Sequence, residues 1–124
     1  MGMRVFVLIV FVLNLTLLLI HEMDAVRNYE WRMLPVLKTM QDNAAYRAFM
    51  LLHVPLYAFL LYLLLGGYQT AAYAILDGFL ILHTLLHALF ERHRQNRLTS
   101  LYSRTVIYAM GALSAVHVLL RGWW

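Results

Sequence analysis

Histidine and carboxylate side chains are spaced along this chain in a way that could bind a metal ion. His83 and His87 are four residues apart, so on a helix their side chains lie one turn apart on the same face. This spacing lets two imidazoles bind a single ion. His21, His53 and a nearby carboxylate could complete the set. The candidate metal ligands are therefore His21, Asp24, His53, His83 and His87.

The types of ligand limit which metal such a cluster could hold. Four nitrogen and oxygen ligands suit zinc, and further carboxylates would suit non-haem iron or manganese. The chain has no cysteine, which excludes thiolate ligands and disulfides. Glu22 and Glu30 are candidate catalytic residues, since either could act as general base on a water bound to the metal. We therefore predict a site for a divalent transition metal, with an enzyme acting on a lipophilic substrate as one function that would use it.

Two other functions remain open from the same residues. Two histidines on facing helices, such as His53 with His83 or His87, could ligate the haem of a b-type electron-transfer protein. The surrounding carboxylates favour a hard cation over the apolar faces of a porphyrin. Alternatively, the histidines could serve only as hydrogen-bonding groups between the helices of a non-catalytic membrane subunit or assembly factor.

Four apolar runs must position these residues. The chain has 124 residues, of which 63% are hydrophobic and 13% are charged, whereas soluble domains carry about 25% charged residues. Each run has about the 20 residues that cross a hydrocarbon core about 30 Å thick. We expect an all-α fold in which residues 1–124 form a single transmembrane domain. Its four-helix bundle would have spans at about 4–22, 44–65, 70–90 and 101–121.

The distribution of cations predicts the orientation of this bundle. Eight of the ten Lys and Arg residues lie in or beside the first and third connections, and only Arg4 and Arg121 belong to the other side. Because connections rich in Lys and Arg stay in the cytoplasm, both termini are expected on the outer side. His53 and His83 would then lie about 12 Å from the cytoplasmic ends of their helices. The predicted site is accordingly in the cytoplasmic half.

A second set of polar side chains falls in the predicted outer half. Asp77 and His117 are expected to pair with each other, and Asn14 to hydrogen-bond between helices, because polar groups inside a bilayer need partners. The basic residues beside the spans are expected to contact lipid head groups and not nucleic acid. The lipid bilayer is thus the expected partner, and a homo-oligomer or a larger membrane complex remains open.

The combined motifs resemble those of a known family. They are H-E-x-D at 21–24, E-W-R at 30–32, H-x-P-L at 53–56 and H-x-x-x-H at 83–87. Over about residues 14–120, the chain is similar to a family of small, uncharacterised bacterial four-helix integral membrane proteins. The resemblance implies a multi-pass protein of the bacterial inner membrane with four spans. It implies no activity.

Overall fold

The computed structural model describes residues 2–122 and contains four long helices. They are α1 (Met3–Arg27), α2 (Asp42–Leu65), α3 (Gln69–Leu89) and α4 (Leu101–Gly122). All four are long and apolar enough to cross a membrane. Within the described residues there is no β-strand, and the predicted all-α fold with four membrane-spanning helices is confirmed.

The connection between α1 and α2 folds back against the helices. The α1 helix continues beyond the predicted end of its span at residue 22 and stops where Asn28 Nδ2 donates to Asp24 O and Oδ1, both at 2.8 Å. Tyr29 then adopts a left-handed conformation with φ of 57°, which turns the chain away from the helix axis. Two short 3₁₀ turns follow, Glu30–Met33 and Leu37–Thr39.

Trp31 anchors this connection to the start of α2. Its indole Nε1 donates to Asp42 Oδ1 at 3.1 Å, and its ring packs against Phe49 with the centroids 5.8 Å apart. The side chain is almost fully buried. Burying an indole on α2 stabilises the folded-back path, and this path carries the neighbouring Glu30 towards the ends of α1 and α3.

Three of the helices form the tightly packed part of the bundle. The α4 helix packs along both α3 and α1, whereas α2 packs more sparsely, against α3 and the two 3₁₀ turns. Leu18, Leu80 and Met110, one from each of the three helices, are at most 1% exposed. The α2 helix therefore lies on the outside of a three-helix core, which decides where its polar residues point.

Gly111 allows α4 to approach α3 closely at Thr84. A Cβ atom at position 111 would lie 2.8 Å from Thr84 Cγ2 and Oγ1, closer than real contacts allow. The Thr84 hydroxyl donates to the carbonyl of Ile107 at 3.1 Å and so links the two helices. Since Thr84 follows His83 directly, this contact fixes the turn of α3 that carries a candidate ligand.

We expect Gly111→Ala to lower the free energy of unfolding by about 1–3 kcal/mol, because the added methyl group would force the two helices apart. Gly78→Ala is the matched control, since a Cβ atom there meets nothing within 4 Å. Thermal unfolding of the purified protein in mild detergent measures both changes. Equal stability of the two variants would contradict the close approach of α3 and α4.

Candidate metal centre

Four side chains from three segments converge at one end of the bundle. His21 comes from α1, His83 and His87 come from successive turns of α3, and Glu30 comes from the first 3₁₀ turn. One nitrogen of each imidazole and one carboxylate oxygen of Glu30 all lie within 4.8 Å of one another. His21 is 1% exposed, Glu30 8% and His87 9%. We call these four residues the His3Glu group.

The distances within the His3Glu group match those between ligands of a single ion. His83 Nε2 lies 2.8 Å from His21 Nε2 and 3.1 Å from His87 Nε2. The Glu30 carboxylate places Oε2 3.7 Å from His21 Nε2 and Oε1 3.5 Å from His87 Nε2. Ligands about 2.1 Å from one ion lie about 3.0 Å apart in octahedral and about 3.4 Å apart in tetrahedral geometry. The four observed separations run from 2.8 to 3.7 Å, a range that includes both the octahedral and the tetrahedral distance.

Hydrogen bonds among the described residues leave part of this group without partners. A neutral imidazole has one N–H donor and one acceptor nitrogen, so a contact between two Nε2 atoms is occupied by at most one proton. Across residues 2–122, the buried atoms His21 Nδ1 and Glu30 Oε2 have no hydrogen-bond partner. A buried polar group without a partner costs about 1–3 kcal/mol. A cation at the centre would offset this cost at Glu30 Oε2 and would bind the lone pairs of the three Nε2 atoms together, whereas His21 Nδ1 faces away from it.

His53, which the sequence suggested as a ligand, is not among the four converging side chains. Its Nε2 lies 2.8 Å from Glu22 Oε2, and its Nδ1 lies 2.7 Å from the carbonyl oxygen of Phe49. Both ring nitrogens thus have partners elsewhere. Because α2 lies outside the three-helix core, its histidine meets the outer side of α1, where Glu22 projects.

Asp24, also suggested as a ligand, is likewise held by other partners. Its Oδ2 accepts a hydrogen bond from Ser103 Oγ at 2.6 Å, and its Oδ1 accepts one from Asn28 at 2.8 Å. Ser103 is buried in the first turn of α4. The Asp24 carboxylate therefore links α1 to α4. Sequence analysis missed Ser103, since nothing in the pattern of α4 indicates which helix its hydroxyl faces.

The two suggested catalytic carboxylates occupy different positions. Glu30 lies within the His3Glu group itself, where its carboxylate could bind an ion directly. Glu22 lies beside the group, next to His21 in sequence, and forms the 2.8 Å contact with His53. The structure thus brings His21, Glu30, His83 and His87 together and leaves the Glu22–His53 pair adjacent to them.

The polar residues at the opposite end of the bundle pair as expected. His117 Nδ1 lies 2.7 Å from Asp77 Oδ2, and both side chains are buried. Arg121 joins them with Nη1 3.2 Å from the same oxygen. Arg121 follows His117 by one helical turn, and this spacing was the signal that could have identified it. Asn14 donates to Ser114 Oγ at 2.7 Å, which confirms the expected hydrogen bond between helices.

Comparison of the chain with curated proteins and with solved structures gives no match to either. A family model does match, and it covers residues 7–122. The matched region includes all four helices apart from the first residues of α1, together with the His3Glu group and the Glu22–His53 pair. The chain belongs to this family, the family of unknown function DUF6713.

Proposed function

We propose that this protein is a multi-pass membrane protein that binds one divalent transition-metal ion through His21, Glu30, His83 and His87. The observation that carries the proposal is the convergence of three imidazole nitrogens and one carboxylate oxygen within 4.8 Å. Three neutral ligands and one anion suit zinc, iron or manganese. Glu30 supplies the negative charge that partly neutralises the ion in a buried site.

The spacing of the imidazoles favours an ion over a haem. Two axial histidines hold a haem iron from opposite sides, so their coordinating nitrogens lie about 4 Å apart, twice a metal–nitrogen bond of about 2 Å. Here three Nε2 atoms lie together, with separations of 2.8 and 3.1 Å on either side of His83. A porphyrin would need a flat space between facing rings, and Glu30 lies against this cluster.

A purely structural role for the histidines is supported less well than a metal site. Groups that only join helices pair one donor with one acceptor, as Asn14 Nδ2 and Ser114 Oγ do at 2.7 Å. His83 Nε2 instead lies against two imidazole nitrogens, His21 Nε2 at 2.8 Å and His87 Nε2 at 3.1 Å, and its single proton or lone pair serves only one of these contacts. A cation bound by all three nitrogens resolves this conflict, which favours a metal at the His3Glu group.

The location that we propose is the cytoplasmic half of a bacterial inner membrane. The His3Glu group lies where α1 and α3 end, beside the two connections that hold most of the Lys and Arg residues. Positively charged connections stay in the cytoplasm. The His3Glu group would then lie at the depth of the cytoplasmic leaflet.

A metal-dependent membrane enzyme is the second candidate, and the Glu22–His53 pair is the observation that favours it. This acid–base pair lies beside the His3Glu group, with its two atoms 2.8 Å apart. Four protein ligands complete the coordination of tetrahedral zinc, whereas six-coordinate iron or manganese would keep positions open for a substrate. The identity of the metal therefore separates a structural site from a catalytic one.

Metal analysis of the parent protein tests the proposal. Purified in mild detergent without a histidine tag, it is expected to contain about one ion of zinc, iron or manganese per chain. A chelator should lower its melting temperature and the metal should restore it, because a ligand at 100 times its Kd stabilises the folded state by about 2.7 kcal/mol. If the protein contains no stoichiometric metal and its melting temperature is unchanged by chelator and by added metal, the His3Glu group is a hydrogen-bonded cluster.

A further inference from the structure

A cavity of about 580 Å³ lies between the first and third connections, and its walls are formed by residues from 31–42 and from 93–95. Four charged side chains line it, three cations and one carboxylate, which are Arg32, Lys38, Arg94 and Asp42. The lining therefore carries a formal charge of +2 with histidine neutral. We call this space the basic cavity. Its volume is within the range of about 300–1,000 Å³ that is typical of small-molecule sites.

The cations of the basic cavity differ in whether they already have a partner. Arg32 Nη2 lies 3.2 Å from Asp42 Oδ1, so these two residues largely neutralise each other. Within residues 2–122, neither Lys38 nor Arg94 forms an ion pair, and both side chains are exposed. Two positive charges are thus left for an anion from outside the chain.

Further hydrogen-bond donors lie in the same walls. The backbone N–H of Gln95 donates to His93 Nδ1 at 3.1 Å, so the proton of the neutral His93 ring is on Nε2, where it can serve a ligand. Helix α2 begins at Asp42 beside the cavity, and its N-cap residue Gln41 makes no side-chain cap hydrogen bond. The backbone N–H groups of a first helical turn have no partner inside the helix and attract anions. Cations and N–H donors gathered in one cavity are typical of a phosphate site.

The position of the basic cavity favours the phosphate of a lipid over one in solution. The cavity lies where α2 begins and just beyond the end of α3, so it is beside the ends of two helices that can span a membrane. The polar head-group layer extends about 5–8 Å beyond each face of the hydrocarbon core, which places lipid phosphates at this level. In the same connection, Val36 is 73% and Met40 is 41% exposed. Such apolar side chains suit contact with a lipid better than contact with water.

We propose that the basic cavity binds one anionic phospholipid, with the lipid phosphate held by Lys38, Arg94 and His93. A head group without an ammonium is required, because a zwitterionic one would bring a positive charge towards the cations of the cavity. Phosphatidylglycerol has this chemistry. The basic cavity shares no residue with the His3Glu group, so the inference is independent of the metal and rests on the proposed function only for the cytoplasmic leaflet.

Native mass spectrometry of the delipidated parent protein in mild detergent tests the proposal. About one phosphatidylglycerol per chain is expected to bind first, and phosphatidylcholine with the same acyl chains should bind about tenfold more weakly, because its ammonium group meets the cations. Equal affinities for the two lipids would overturn the proposal.

Variants locate the bound lipid. Lys38→Gln combined with Arg94→Gln should raise the phosphatidylglycerol concentration for half occupancy about 25-fold, which is about fivefold for each cation near a lipid phosphate. Arg47→Gln combined with Arg92→Gln is the matched control, because it removes the same charge from exposed residues outside the cavity. Solvent screens these more distant charges, so the control should stay within about twofold of the parent. Equal losses in both double variants would show that only net charge matters and would overturn the site.

Competition with inorganic phosphate separates a lipid from a soluble ligand. A large excess of phosphate should leave phosphatidylglycerol bound, because free phosphate has no acyl chains to contact the apolar surface of the protein. Displacement of the lipid by phosphate would overturn the assignment to a lipid and identify a site for a soluble phosphate compound.

Metal content measured in the same preparations keeps the two proposals separate. Lys38→Gln combined with Arg94→Gln should retain the metal of the parent protein, because both residues lie outside the His3Glu group. A metal-loaded protein that binds no phosphatidylglycerol would refute the lipid site alone. A metal-free protein whose lipid binding still depends on Lys38 and Arg94 would support the lipid site and refute the metal centre.

Discussion

His83→Ala is expected to remove the bound metal, whereas His53→Ala should leave it in place. His83 is the middle ligand of the proposed centre, with its Nε2 2.8 Å from that of His21 and 3.1 Å from that of His87. Loss of this nitrogen leaves two imidazoles and Glu30, too few for a closed tetrahedral site. Residues that merely orient metal ligands contribute about 10–100-fold to metal affinity, so a ligand itself should contribute at least 100-fold.

The comparison between these two variants distinguishes the ligand set of the structure from the one suggested by the sequence. Titration with a competing chelator measures metal affinity in the parent and in both variants. His53 is held by Glu22 and by the carbonyl of Phe49, so its removal should leave the affinity close to that of the parent. Retention of metal by His83→Ala, together with its loss in His53→Ala, would show that the site is built around α2.

Asp77→Leu is expected to destabilise the protein by about 3–5 kcal/mol. Asp77 is 2% exposed and accepts from both His117 at 2.7 Å and Arg121 at 3.2 Å. Without the carboxylate, a fully buried imidazole and a partly buried guanidinium lose their common partner. Removing one member of a buried pair typically costs this much, because the remaining charge stays uncompensated.

Chemical or thermal unfolding in detergent measures this effect, and Glu91→Gln provides the control. Glu91 pairs with Arg104 at 3.0 Å, but these side chains are 35% and 47% exposed, so solvent screens the interaction and the change should be far smaller. The effect of Asp77→Leu should persist in the presence of a chelator, because Asp77 lies outside the His3Glu group. Similar stabilities of the two variants would mean that the Asp77 pair contributes no more than a surface ion pair.

The sequence by itself determined the helices and one face of the site. Apolar runs of about 20 residues are long enough to span a bilayer, and each span must close its backbone hydrogen bonds internally, so four helices follow directly. A spacing of four residues places His83 and His87 on one face of α3 whatever surrounds them. Asp77, His117 and Asn14 needed partners inside the bundle, and the partners of all three lie there.

Only the tertiary structure decided which residues join His83 and His87. Glu30 reaches them because α1 ends before Tyr29 and because Trp31 is buried against α2, which folds the connection back. His53 does not join them, although its predicted depth is similar. Helical periodicity defines a polar face but not the rotation of a helix about its axis or the neighbour that this face meets. Packing against other helices fixes both, and it places α2 outside the three-helix core, so that His53 contacts Glu22 on the outer side of α1.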